Sequence, residues 1–379
     1  MGLNLPYQVL LGDALNRLRT LPTGWFHICV TSPPYWLLRN YGVKGQIGQE
    51  DTWDHFLQRL LDVFAEVKRV LRNDGTLWVN MGDGYVQQGK SRSDAGDTRS
   101  RAAKSGSYHT DAFSRVQGWS RATGSANGIL LRPKQLMGQP WRLAFALQES
   151  GWWLRSDIVW DKPNAIPKSV KDRPGLDHEY IFLLSPSSRY YYDREAWTNG
   201  TSYARTVWDI PICSRGNKGH YATFPRDIAK RCILLGSSAK GCCSKCGAPR
   251  SRLVEPTPEY AVCLGKSWHD HKEDGRRGQR AGKPCRKFNG KKYQTTGWKD
   301  TCDCHAATVP CRVLDPFSGS GTTGVVALQN GRHYTGIELK PEYHSLSLEA
   351  LKATVTSVPV TERQSGQLSL LDQLEMEIV

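Results

Sequence analysis

Apolar residues fall into two kinds of pattern along this chain. Short, nearly continuous runs at residues 7–11, 26–30, 76–80, 152–161, 180–185, 313–314 and 333–338 are bounded by Gly, Pro, Asn or Asp, so each predicts a buried strand. Residues 190–193 read as one more. Between these runs the period changes. Phe56, Leu57, Leu60, Leu61, Phe64, Val67 and Leu71 form one stripe of a helix over 53–71, which Asn73-Asp74-Gly75 ends. Helices are also predicted over 14–21, 135–151, 226–235 and 323–330, the last stopped by Gly331. Strands alternating with helices imply an α/β class, a doubly wound sheet with helices on both faces.

Two of the predicted strands end in unusual segments. Asp315-Pro316-Phe317-Ser318-Gly319-Ser320-Gly321-Thr322-Thr323-Gly324 follows the strand ending at Leu314 and opens a helix. A strand, a Gly-rich turn and a helix N-terminus make a cradle of backbone N–H groups for a polar cofactor. Thr31-Ser32-Pro33-Pro34-Tyr35-Trp36 follows the strand at 26–30. Read alone, it is a rigid surface turn. Consecutive prolines fix φ and lack N–H groups, which leaves an extended backbone with free carbonyls.

Together these motifs resemble the S-adenosylmethionine-dependent DNA methyltransferases that modify exocyclic amines, N4 of cytosine or N6 of adenine. The catalytic motif precedes the cofactor motif, as in that family's permuted beta group. The resemblance implies a Rossmann-like methyltransferase sheet in circularly permuted order. It makes Ser32, Pro33, Pro34 and Tyr35 catalytic, and Asp13, Thr31, Phe224, Asp315, Pro316, Phe317, Gly319, Gly321, Thr322 and Glu338 cofactor-binding. Asp13 would reach the adenine amine, or act as a helix N-cap. Glu338, about twenty residues past the turn, would accept the ribose hydroxyls. Trp36 and Asn164 would belong to the target-base loop, although Asn164 also suits a loop cap.

The chemistry fits those residue types. An exocyclic amine conjugated to a ring is a poor nucleophile. Ser32 Oγ and the Pro33 carbonyl can accept its hydrogen bonds and offset the positive charge that develops during attack. Tyr35 offers a flat face to an extruded base, worth roughly 1–3 kcal/mol, and the base must leave the duplex to react. The Ser at the first motif position favours cytosine within the family; N6 of adenine is the alternative. A catalytically inactive zinc-containing DNA-binding protein and an RNA methyltransferase are the competing readings.

Charge changes the picture next. The formal net charge is +15. Residues 86–136 hold nine Lys/Arg against three Asp/Glu, and 240–312 hold sixteen against seven, while the rest is balanced. The chain therefore divides into a catalytic half of the core at 1–85, a basic DNA-contacting insertion at 86–136, and a continuation with the target-base loop at 137–239. A zinc-binding, DNA-recognising insertion at 240–310, the cofactor half at 311–356 and a tail at 357–379 complete it. Two basic insertions suit double-stranded DNA as the partner.

In the second insertion, Cys243-Ser244-Lys245-Cys246-Gly247 is a knuckle and Cys302-Asp303-Cys304 can supply a second pair. Four thiolates suit a closed structural zinc site, and reduced free cysteines on a loop are the alternative. Zinc would staple an insertion too polar to build its own core. The eleven cysteines, an odd number, and the absence of a membrane-length apolar run or a signal peptide imply a cytoplasmic, nucleoid-associated protein of bacterial or phage origin. A homodimer and a cognate restriction endonuclease are the protein partners that the resemblance implies.

Overall fold

The computed structural model describes residues 5–86, 131–167, 169–197, 204–212, 224–258, 260–261 and 292–356. Most of the first basic insertion and the middle of the second lie outside these residues. The core strands are β1 (Tyr7–Leu11), β2 (Phe26–Thr31), β3 (Leu71–Met81), β4 (Trp153–Asp161), β5 (His178–Ser185), β6 (Val207–Asp209), β11 (Arg312–Asp315) and β12 (His333–Glu338). They form one eight-stranded sheet in the order β1-β12-β11-β2-β3-β5-β4-β6. Within it β5 runs against its neighbours β3 and β4, and the other pairings are parallel. A sheet buried on both faces explains why its strands read as apolar runs rather than alternating ones.

Helices cover both faces, as the alternating pattern predicts. Leu18 of α1 (Ala14–Arg19), Phe56, Leu60 and Phe64 of α2 (Trp53–Val70), and Leu143 and Leu147 of α3 (Gln139–Glu149) share one core cluster. Ile228 and Cys232 of α4 (Arg226–Gly236), Val325 and Leu328 of α5 (Thr322–Gln329), and Leu351 and Val355 of α6 (Pro341–Thr356) share the other. The chain enters at the edge strand β1 and then crosses to β2 in the middle of the sheet, so β2 and β11, far apart in sequence, lie side by side. Their shared C-terminal edge is where the winding reverses, the position at which open α/β sheets bind ligands.

One predicted strand is absent. Residues 190–193 form an irregular segment pinned by Tyr191 N to Asp74 O and Asp193 N to Leu235 O, both at 2.8 Å. The sheet's outer edge is β6 instead.

The second insertion adds two small ribbons: β7 (Cys242–Cys243) with β10 (Thr308–Val309), and β8 (Ser251–Pro256) with β9 (Tyr293–Lys299). Arg252 fastens the β8–β9 ribbon to the core by holding the buried carboxylate of Asp193 at 2.9–3.0 Å. No helix among the described residues is long and apolar enough to cross a membrane.

Candidate active site

A cavity of about 340 Å³ opens at the C-terminal edge of the sheet, over the junction of β2 and β11. Both sequence motifs meet there. Ser32, Pro33, Pro34 and Tyr35 form part of its wall, and Pro316, Phe317, Gly319, Glu338, Asp13 and Phe224 form another part. Residues separated by nearly the whole chain are thus brought together by one parallel strand pairing.

Thr31, Asp315, Gly321 and Thr322 do not line the cavity. Asp315 is 2% exposed, and its Oδ1 accepts from Thr31 Oγ1 at 2.7 Å and from Phe317 N at 3.1 Å. It shapes the turn from beneath, and burial pushes its carboxyl up to about 6. Gly321 serves the same turn at φ +82°, with the Ser347 side chain so close that a Cβ would meet it at 2.5 Å. Glycine is required there on both counts.

Glu338 is oriented differently. Its Oε2 accepts from Gly319 N and its Oε1 from Lys340 N, each at 2.8 Å, which sets the carboxylate against the cavity with lone pairs remaining. Burial pushes this carboxyl also to about 6. Asp13 lines the cavity and accepts from Asn16 N at 3.0 Å as the N-cap of α1.

The two target-base residues lie elsewhere. Trp36 is 4% exposed, packs edge-on to Trp53 and donates its Nε1–H to Glu50 O at 2.8 Å. Asn164 uses its whole amide on Ile212, donating to the carbonyl at 2.9 Å and accepting from the N–H at 2.7 Å. Its observed role is the loop cap.

The structure adds contacts at this wall that no local motif announces. Glu179, the second residue of β5, reaches the cavity beside Tyr35, whose hydroxyl donates to Glu179 Oε2 at 2.9 Å. Lys162, just past β4, donates to Glu179 Oε1 at 2.6 Å and lies 4.4 Å over the ring of Trp160. Asn80, at the end of β3, also lines the cavity and donates its amide to Tyr180 O at 3.2 Å.

At the opposite edge of the sheet, Cys243, Cys246, Cys302 and Cys304 place their sulfur atoms within 4.8 Å of one another. A tetrahedral zinc needs sulfur atoms roughly 3.8 Å apart, so a small contraction would close the set. The knuckle is tight: Gly247 N donates to Cys243 O at 2.9 Å, with Gly247 at φ +72°. It docks on the strand starts, where His27 Nε2 meets Gly247 O at 2.9 Å and Arg72 donates to Cys246 O at 2.6 Å. A neighbouring group of His27, Cys242 and Cys311 is less suited to metal. His27 uses Nε2 on Gly247 and Nδ1 as the acceptor for Arg312 N at 3.1 Å, leaving no ring lone pair.

Comparison with known proteins agrees with this geometry. The sequence matches the N6/N4 methyltransferase family described as DNA methylase over residues 26–243 and 312–349, and the interruption falls on the cysteine-bearing insertion. The chain is 39% identical to the Type II methyltransferase M.Cfr9I of Citrobacter freundii over 92% of its length and 88% of that protein's. It is 36% identical to the Type II methyltransferase M.SmaI of Serratia marcescens, over 91% and 90%. Its fold is similar to that of PvuII DNA methyltransferase (cytosine-N4-specific), with a TM-score of 0.52 at 16% identity over 91% of this chain and 88% of that one.

The buried Asp315 has a thermodynamic signature. Its folded value of about 6 lies above the ordinary 3.8. The folded state therefore holds this proton more tightly than the unfolded state does. Its contribution to stability is greatest below about pH 4 and falls as pH rises through about 6. Asp315→Asn should flatten the fall in unfolding free energy between about pH 4 and 6, measured by urea denaturation at several pH values. An unchanged slope would mean that this carboxylate is not buried as described.

Proposed function

The chain belongs to the N6/N4 DNA methylase family, and from that premise we propose that it transfers the methyl group of S-adenosylmethionine to the N4 amine of cytosine in duplex DNA. The observation that carries the reading is the single cavity shared by Ser32-Pro33-Pro34-Tyr35 and the Gly-rich turn. An electrophile held on the turn and an amine held on Ser-Pro-Pro-Tyr would face each other across it.

The residues fit the cofactor. Glu338 has a carboxylate pre-oriented by two backbone N–H groups and free to accept ribose hydroxyls. Asp13 can accept from the adenine amine, while Phe224, Pro316 and Phe317 supply apolar wall. When bound, the cofactor supplies an electrophilic methyl on a sulfonium. Thr31 and Asp315 contribute through the turn they shape, not by contact.

On the acceptor side, Ser32 Oγ and the Pro33 carbonyl take hydrogen bonds from the amine as its nitrogen gains positive charge. The ring of Tyr35, fixed by the bond to Glu179, is the stacking face for a base extruded from the duplex. Ser at the first motif position supports cytosine over adenine, and N6 of adenine is the second reading. The two basic insertions would grip DNA phosphates. The Type II designation of the relatives supports a modification enzyme paired with a restriction endonuclease.

Sequencing that distinguishes modified bases, applied to DNA from cells expressing the chain, tests target base and site together. N4-methylcytosine at one recurrent sequence is the expected result, and N6-methyladenine would replace the first reading with the second. Ser32→Ala should lower the transfer rate by about 10²–10³-fold with little change in affinity for S-adenosylmethionine. Full activity in that variant would exclude Ser32 as the amine's acceptor.

The four-cysteine group belongs to the same proposal as a structural zinc site, supported by its sulfur geometry and tight knuckle. Elemental analysis of protein purified without chelators should find about one zinc per chain, and Cys302→Ser should lose it. Less than half an equivalent in the unaltered protein would count against the site.

A further inference from the structure

Methylation of an amine leaves a positive nitrogen that must shed a proton, and the cavity shows a route for it. The Tyr35 hydroxyl donates to Glu179 Oε2 at 2.9 Å, and Ser32 lines the same cavity wall, its side chain and the Gly82 amide favouring the phenolate electrostatically. Burial, with Glu179 alongside, holds the Tyr35 phenol well above its ordinary value, so it remains a protonated donor. Glu179 is held in turn by Lys162 at 2.6 Å, an ion pair whose partners are both mostly buried. Gly82 makes room for this arrangement, since a Cβ there would lie 2.9 Å from Glu179 Cδ.

The other carboxylates lining the cavity are otherwise engaged among the described residues. Asp13 caps α1, and Glu338 is tied to Gly319 and Lys340. Asn80 has an amide and cannot take up a proton. Asp83, one residue beyond Gly82, accepts from Gly84 N, Gly138 N and Gln139 N and so anchors the start of α3.

We propose that Glu179 is the terminal proton acceptor of methyl transfer, reached through Ser32 and Tyr35. This rests on amine methylation at Ser-Pro-Pro-Tyr. As the amine nitrogen bonds the methyl carbon, the pair of the breaking C–S bond stays on sulfur. One amine proton passes to Ser32 Oγ, the Ser32 proton passes to Tyr35 Oη, and the Tyr35 proton passes to Glu179 Oε2. The carboxylate becomes a carboxylic acid and later returns its proton to water. Lys162 keeps Glu179 aimed until that moment, and Tyr35 combines base stacking with proton passage.

The test is single-turnover methylation of duplex DNA by the full chain, with affinity for S-adenosylmethionine, affinity for DNA and thermal melting measured alongside. Glu179→Gln and Tyr35→Phe should each slow transfer by about a hundredfold, with both affinities within about threefold of the original. Tyr35→Phe keeps the ring and Glu179, so it remains informative should Glu179→Gln fold poorly. The original protein should lose rate at acid pH in a limb that Glu179→Gln lacks. A purely structural role would not remove that limb. An original rate in either variant, or an unchanged acid limb in Glu179→Gln, overturns the relay. Ser32→Ala separates the two levels of failure. If it is slow while Glu179→Gln is fast, the relay alone fails; if both are fast, the active-site reading fails with it.

Discussion

Between the ends of β2 and β11 a hydroxyl holds a buried carboxylate: Thr31 Oγ1 donates to Asp315 Oδ1 at 2.7 Å. The same oxygen accepts from Phe317 N and so starts the Gly-rich turn. One interaction therefore joins the residue before Ser32 to the residue that begins the cofactor cradle. A charge at 2% exposure is costly unless hydrogen-bonded, and removing the hydroxyl would leave it short of a partner. The spacing between electrophile and amine depends on this bond, since the strands that carry them meet here.

The rest of the molecule is arranged by distance from that junction. At the C-terminal edge lie the cavity, Glu338, Asp13 and the chain Ser32–Tyr35–Glu179–Lys162. At the N-terminal edge lie the cysteine knuckle, His27 and Arg72. His27 and Ser32 are five residues apart on an extended strand, roughly 16 Å. The knuckle thus supports the sheet that presents the chemistry and stands off from the chemistry itself. The second insertion leaves the core at this remote edge.

The sequence made the sheet legible where local signals were strong. β1 and β12 agree with their predicted limits, because buried parallel strands are apolar runs bounded by clear turn residues. The cofactor turn and Ser-Pro-Pro-Tyr were readable because glycine and proline restrict backbone geometry in ways few alternatives satisfy. Residues 190–193 misled because three tyrosines mimic strand composition while their backbone groups pair with Asp74 and Leu235. The pairing of Glu179 with Lys162 and Tyr35 was not legible, because it comes from the antiparallel placement of β5 beside β3 and β4, which no short window encodes. Asp315 was readable as a polar residue near a site, but only the fold shows its hydrogen-bonding capacity turned inward, while Asn164 takes the loop-cap role that was one of its two readings.

A double-mutant cycle on Thr31 and Asp315 tests the central claim most directly. Single-turnover methyl transfer would be measured for Thr31→Val, Asp315→Ala and the pair together. If the hydroxyl and carboxylate act as one link between the catalytic and cofactor strands, the double variant should be little slower than the worse single variant. Losses that simply multiply would contradict the account, because the two residues would then act on the reaction independently.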